Sequence, residues 1–132
     1  MKKLLSFLLG TFIVAACSTT HTVTSYNLDN QKTPLKINTA LHSEVTFTMQ
    51  TNPSTGYSWY TNLERLSSAI QVVRDSISQT TVPAGMVGVP LEKIYTLKFL
   101  QKGKYTLEFN YLRPWETNVP PVKQKTVVVT VL

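Results

Sequence analysis

Apolar and polar residues alternate along most of this chain. Val45, Phe47 and Met49 fall on one side of an extended segment, with Glu44, Thr46, Thr48 and Gln50 on the other. A period of two marks a strand with one buried face. Tyr57 and Trp59 likewise share a face opposite Ser58 and Tyr60. Residues 70–78 predict a weaker strand rich in β-branched side chains, and residues 126–132 a final one. Residues 94–100 and 105–111 flank Gln101-Lys102-Gly103-Lys104, which reads as a hairpin loop with Gly103 supplying a positive φ. Residues 63–69 lack alternation and predict one helical turn. About seven short strands with frequent turns define an all-β antiparallel sandwich. Trp59, Phe47, Phe99, Phe109 and Leu107 are its candidate core.

The N-terminus follows a different pattern. Lys2 and Lys3 precede a short apolar run over residues 4–14, and Ala15-Ala16 leads into Cys17. This is the layout of an export signal, too short for a spanning helix of about 20 residues. Val14-Ala15-Ala16-Cys17 resembles the bacterial lipoprotein signal, in which the cysteine becomes the lipidated N-terminus. Cys17 is the chain's single cysteine, so no internal disulfide forms. The expected organisation is a signal peptide over residues 1–16, a lipidated cysteine and polar tether over 17–34, and one domain over 35–132. The tether expectation rests on the Ser, Thr and Asn content of residues 18–34 and their lack of apolar period. Ser18 is not the aspartate that holds many bacterial lipoproteins at the inner membrane. The predicted location is therefore the outer membrane or cell surface.

Charge narrows the functional classes. Thirteen Lys and Arg against seven Asp and Glu give +6 over 132 residues. The bases are scattered, with no run or stripe to track a phosphate backbone, so a nucleic-acid partner is not expected. The two histidines argue against catalysis. His21 falls in the tether and His42 in a turn, and no Ser, Cys or Asp completes a triad by spacing. No three- or four-ligand cluster predicts a metal, and no cofactor is expected.

Two turns carry the remaining information. In Asn52-Pro53-Ser54-Thr55-Gly56-Tyr57, Asn52 is able to bond its own backbone two residues on, Pro53 fixes φ, and Gly56 permits a left-handed exit. The plain account is a hairpin connection. The functional one is a stiff, small, neutral tip whose ordering entropy is settled before binding. In Arg113-Pro114-Trp115, Pro114 interrupts strand pairing ahead of a polar, kinked loop. Trp115 either folds back into the core or stands out beside Arg113 as a binding hot spot. Between them, residues 82–91 are too apolar for a solvated loop and too rich in Gly and Pro for a strand.

The segment from Asn52 to Tyr57, the following Trp59, and Arg113-Pro114-Trp115 resemble the chagasin-type inhibitors of papain-like cysteine proteases. The resemblance covers residues 35–132. It implies an immunoglobulin-like sandwich with three loops forming a wedge at one end. Asn52, Pro53, Ser54, Thr55, Gly56 and Tyr57 would enter the catalytic cleft, with Thr55 near the enzyme's cysteine, and Arg113, Pro114 and Trp115 would grip its rim. The family's middle motif, Gly-x-Gly-Gly, aligns with Gly88-Val89-Pro90-Leu91, where only Gly88 matches; Gly85, Met86, Val87 and Gly88 would stand in for it. The implied protein is a monomeric, reversible, non-covalent inhibitor with a papain-like protease as partner. The alternative is a surface or periplasmic adhesion or assembly lipoprotein that uses the sandwich as a generic binding module.

Overall fold

A computed structural model describes residues 23–78, 84–87 and 90–132. Eight strands lie within them: β1 (Thr24–Asn27), β2 (Leu35–Thr39), β3 (Glu44–Thr51), β4 (Ser58–Thr61), β5 (Ile70–Ile77), β6 (Leu91–Phe99), β7 (Gly103–Leu112) and β8 (Lys123–Val131). They form two four-stranded sheets, ordered β1-β3-β6-β5 and β2-β8-β7-β4. Most neighbours are antiparallel, but β1 runs parallel to β3 and β2 parallel to β8. The sandwich is therefore mixed rather than wholly antiparallel, with both parallel strands at sheet edges.

The alternation read from the sequence is the burial pattern observed. Phe47, Met49, Leu97 and Phe99 from one sheet meet Leu107, Phe109, Val127 and Val129 from the other, all without exposed surface. Phe47 and Phe109 face each other with ring centroids 5.8 Å apart, and Tyr95 joins Phe109 at 5.7 Å, both tilted. The expected helical turn is a 3-10 turn at Leu63–Leu66. His42 occupies a turn with φ of 65°.

Two expectations change. Residues 101–104 are not a hairpin: β6 and β7 belong to different sheets, so the chain crosses the sandwich there. The Tyr105 hydroxyl donates back to the carbonyls of Gln101 (3.0 Å) and Lys102 (3.3 Å), fastening the crossing in the manner of the tyrosine corner of immunoglobulin-like domains. Gly103 does take a positive φ of 145°, in the service of this crossing. The second change concerns the tether. Over its described part it is folded, because a local turn sets an apolar side chain over the core. Asn27 Oδ1 accepts the Asp29 amide at 3.0 Å, Asp29 Oδ2 accepts the Gln50 amide at 2.6 Å, and Leu28 between them is 1% exposed. Further on, Thr33 Oγ1 accepts the Thr126 amide at 2.9 Å.

Register fixes which connections share an end. Thr51 pairs with Leu91 and Ile77 with Lys93 in one sheet, while Ser58 pairs with Leu112 and Tyr111 with Lys123 in the other. The β3–β4, β5–β6 and β7–β8 connections thus emerge together. The start of β1, which pairs Thr24 with Val45, lies at the opposite end. A free tether and a folded β1 segment are told apart by Leu28→Ala. Loss of this buried leucine should lower the unfolding free energy by about 3 kcal/mol in urea denaturation, whereas in a free tether it would change nothing.

Candidate functional site

The β3–β4 connection is built to hold its shape. Pro53–Thr55 form a single 3-10 turn. The Asn52 carbonyl accepts both the Thr55 amide (3.1 Å) and the Thr55 hydroxyl (2.6 Å), and the Pro53 carbonyl accepts the Gly56 amide at 3.1 Å. Asn52 Oδ1 accepts the Ser54 hydroxyl at 2.5 Å, in place of the backbone bond expected from the sequence. Gly56 takes φ of 80°, the left-handed exit that glycine allows. Pro53, Ser54 and Thr55 are exposed, with Asn52, Gly56 and Tyr57 half-buried behind them. The tip is thus small, neutral and closed upon itself.

Its two roots are tied to the core. The Trp59 indole N–H donates to the Gln50 carbonyl at 2.8 Å, and the Asn52 amide donates to the Tyr111 hydroxyl at 2.9 Å. Tyr111 in turn stacks on Tyr57 (5.4 Å) and packs against Trp59 (4.9 Å). Below them the Tyr95 hydroxyl donates to the Trp59 carbonyl at 3.3 Å. Burial, with Asp75 close by, pushes the Tyr95 phenol well above its ordinary pKa and keeps it a donor. Asp75 itself is paired with Lys93.

The third loop leans on the first. Arg113 Nε donates to the Thr55 carbonyl at 3.0 Å, its guanidinium lies 4.2 Å from the Tyr57 ring centroid, and Nη1 pairs with Glu116 at 3.1 Å. Arg113 therefore turns toward the protein's own first loop rather than standing free at the rim. Pro114 and Trp115 are the exposed members of the motif, and Trp115 is 65% exposed, so it does not fold into the core. A side chain on Gly56 would overlap the Trp115 ring outright and lie 2.9 Å from its Cζ2. Only glycine lets the indole lie across the first loop.

The second connection is described at its root and over residues 84–87. Its root is closed where the Ser78 amide donates to the Glu92 carbonyl (2.7 Å) and the Glu92 amide to the Ser78 hydroxyl (3.0 Å). Gly85 takes φ of 93° with open space around it, Met86 is exposed, and Val87 is 96% exposed. Gly88 lies outside the described residues, as does Cys17. Residues 52–57, 84–87 and 113–115 thus stand at one end of the sandwich. Among the described residues no three acidic, histidine or cysteine side chains gather to hold a metal.

Sequence reading missed Tyr111, Glu116 and Gln50. Tyr111 was within reach: it continues the inward alternation of Leu107 and Phe109 to the loop end of β7. Arg113 continues the same alternation two residues further, which is why it meets Tyr57.

A β-sandwich that displays a closed, neutral turn braced by an Arg-Pro-Trp loop at one end has the build of a binding protein. The chain belongs to the chagasin family of peptidase inhibitors: the family model described as Chagasin family peptidase inhibitor I42 matches residues 38–131. It is similar to Amoebiasin-2 of Entamoeba histolytica, 29% identical over 120 residues that cover 91% of this chain and 95% of that one. Among solved structures it is similar to the cysteine protease inhibitor EhICP2 of the same organism, at 26% identity and a TM-score of 0.71, covering 83% of this chain and 96% of that one. PbICP-C, solved in complex with falcipain-2, shares the fold at 18% identity and a TM-score of 0.57, covering 83% and 99%. The protein is a peptidase inhibitor, not an enzyme.

Gly56→Ala tests the packing of the two loops. The added methyl must push Trp115 off the first loop, and the left-handed φ adds about 1 kcal/mol of strain. Trp115 emission should shift to the red while Trp59 stays buried. An unchanged spectrum would show that the indole does not rest on Gly56.

Proposed function

We propose that this protein inhibits papain-like cysteine proteases reversibly and without covalent chemistry, by seating the turn Asn52-Pro53-Ser54-Thr55-Gly56-Tyr57 in the catalytic cleft. Met86 and Val87 flank it on one side and Pro114 and Trp115 on the other. The observation that carries this reading is the closed turn at the centre of three clustered loops. Proteases hold substrates as extended strands. A 3-10 turn locked by its own carbonyls fills the cleft yet offers no bond in that conformation. Its tip carries hydroxyls already satisfied locally, so little desolvation opposes insertion. The solved complex of PbICP-C with falcipain-2 and the EhICP2 structure support a cysteine protease as the partner class.

Thr55→Arg separates a wedge from an ordinary turn. A charge at the tip must be buried unpaired in the cleft or must prop the loop out of it, at a cost of several kcal/mol. Loss of the Thr55 hydroxyl bond in the free protein costs only about 1 kcal/mol. Papain-type cleavage of a small peptide substrate should therefore be blocked by the wild type and not by the variant, with melting temperatures within a few degrees. Full inhibition by Thr55→Arg would end the wedge mechanism, and an adhesion or assembly module would leave the protease active with either protein.

The protein is further proposed to act as an exported, monomeric lipoprotein of the outer membrane or cell surface, anchored at Cys17. What supports this is the charged, apolar and small-residue layout ahead of Cys17. Because β1 starts at the end opposite the loops, such an anchor leaves the wedge pointing away from the bilayer. Only residues 18–22 separate Cys17 from Val23, a reach of less than about 25 Å at full extension. A Cys17→Ser variant should leave the membrane fraction for the soluble one, and its retention would refute the anchor.

A further inference from the structure

A recess opens beside the wedge that the cleft-filling turn leaves unused. Its volume is about 440 Å³, and it lies between the first loop and the start of β8. Tyr57, Tyr111, Pro90 and Val122 give it an apolar lining, and among the described residues Lys123 is the only charged one that lines it. The walls are set before any partner arrives. Tyr57 and Tyr111 are stacked at 5.4 Å, Arg113 covers the far face of the Tyr57 pair at 4.2 Å, and Lys123 Nζ lies 5.7 Å from the Tyr111 centroid. Val122 is 55% exposed although its amide is tied to the Tyr111 carbonyl at 3.0 Å. An apolar side chain fastened by its backbone yet left in water gains by being covered.

We propose that this recess is a second binding site for the inhibited protease, one that takes two or three apolar side chains of leucine to phenylalanine size from the enzyme surface beside its cleft. A neighbouring carboxylate on the enzyme would pair with Lys123. The proposal rests on the inhibitor reading above. Its occupant follows from continuity: Asn52, Thr55 and Tyr57 belong both to the wedge and to the wall of the recess. Whatever surrounds the turn must therefore lie against the recess mouth. A recess of this size left empty in the complex would trap water against two aromatic rings, whereas two or three apolar side chains together fill it. The site would then set selectivity, since papain-like enzymes that place a charged or very small residue there lose the contact while keeping the wedge.

The test uses the full chain and a papain-like protease that the wild type inhibits. Val122→Arg places a long charged side chain across the mouth, and Lys104→Glu, on the exposed far end of β7, serves as the control. Val122→Arg should raise the inhibition constant at least tenfold, mainly through faster dissociation, with an unchanged melting temperature. Lys104→Glu should change the constant less than twofold. Lys123→Glu should raise it several-fold, and the effect should fade with added salt. A benzophenone amino acid at position 122 should cross-link to an apolar residue of the enzyme. Wild-type inhibition by Val122→Arg overturns the proposal, and so does cross-linking confined to the inhibitor itself. A wild type that inhibits no papain-like enzyme at all would instead overturn the inhibitor reading on which the proposal stands.

Discussion

The amide of Asn52 donates to the phenol of Tyr111, and the geometry of the inhibitory end follows from that bond. It joins the end of β3 in one sheet to the end of β7 in the other, at the point where the chain leaves the sandwich. The Trp59 indole makes the matching bond to Gln50 from the other root of the loop. Between these two ties the chain has no freedom to open, and the turn at Pro53–Thr55 is the short path that remains. Removing the phenol oxygen would take away the acceptor that holds this part-buried amide, and with it the tie between the two sheets.

The same aromatic cluster serves the third loop. Tyr111 stacks on Tyr57, and Tyr57 presents its outer face to Arg113, whose Nε reaches the Thr55 carbonyl. Loops one and three therefore behave as one body, roofed by Trp115 over Gly56. Binding then costs little ordering entropy on the inhibitor side for these loops. Loop two is different in kind. Gly85 has open space about it and Val87 is almost wholly exposed, so the described part of this loop contributes apolar surface.

Much of this was legible in the chain. Alternation around Val45, Phe47 and Met49 placed a strand and its buried face correctly, because period two is decided locally by side chains that must leave water. The Asn-Pro-Ser-Thr-Gly turn was legible for the same reason: Pro53 and Gly56 act through their own dihedrals. Partners distant in sequence were not legible. The crossing at residues 101–104 looks like a hairpin until the pairing of β7 with β8 and β4 is known. Leu28 looks like part of a polar tether until Asp29 is seen bonded to Gln50. Arg113 carries the charge of a rim residue, and only the neighbourhood of Tyr57 and Glu116 turns it inward. In each case the deciding contact joins residues that composition and spacing leave unconnected.

In the proposed mode of inhibition, the first loop holds its shape before any protease binds. Native-state hydrogen exchange on the free protein measures this directly, because the Thr55 and Gly56 amides are bonded only within the turn. They should exchange far more slowly than the exposed amides of Met86 and Val87, and slow further when a papain-like protease is bound. Exchange of Thr55 and Gly56 at unprotected rates in the free protein, with protection appearing only in the complex, would contradict it.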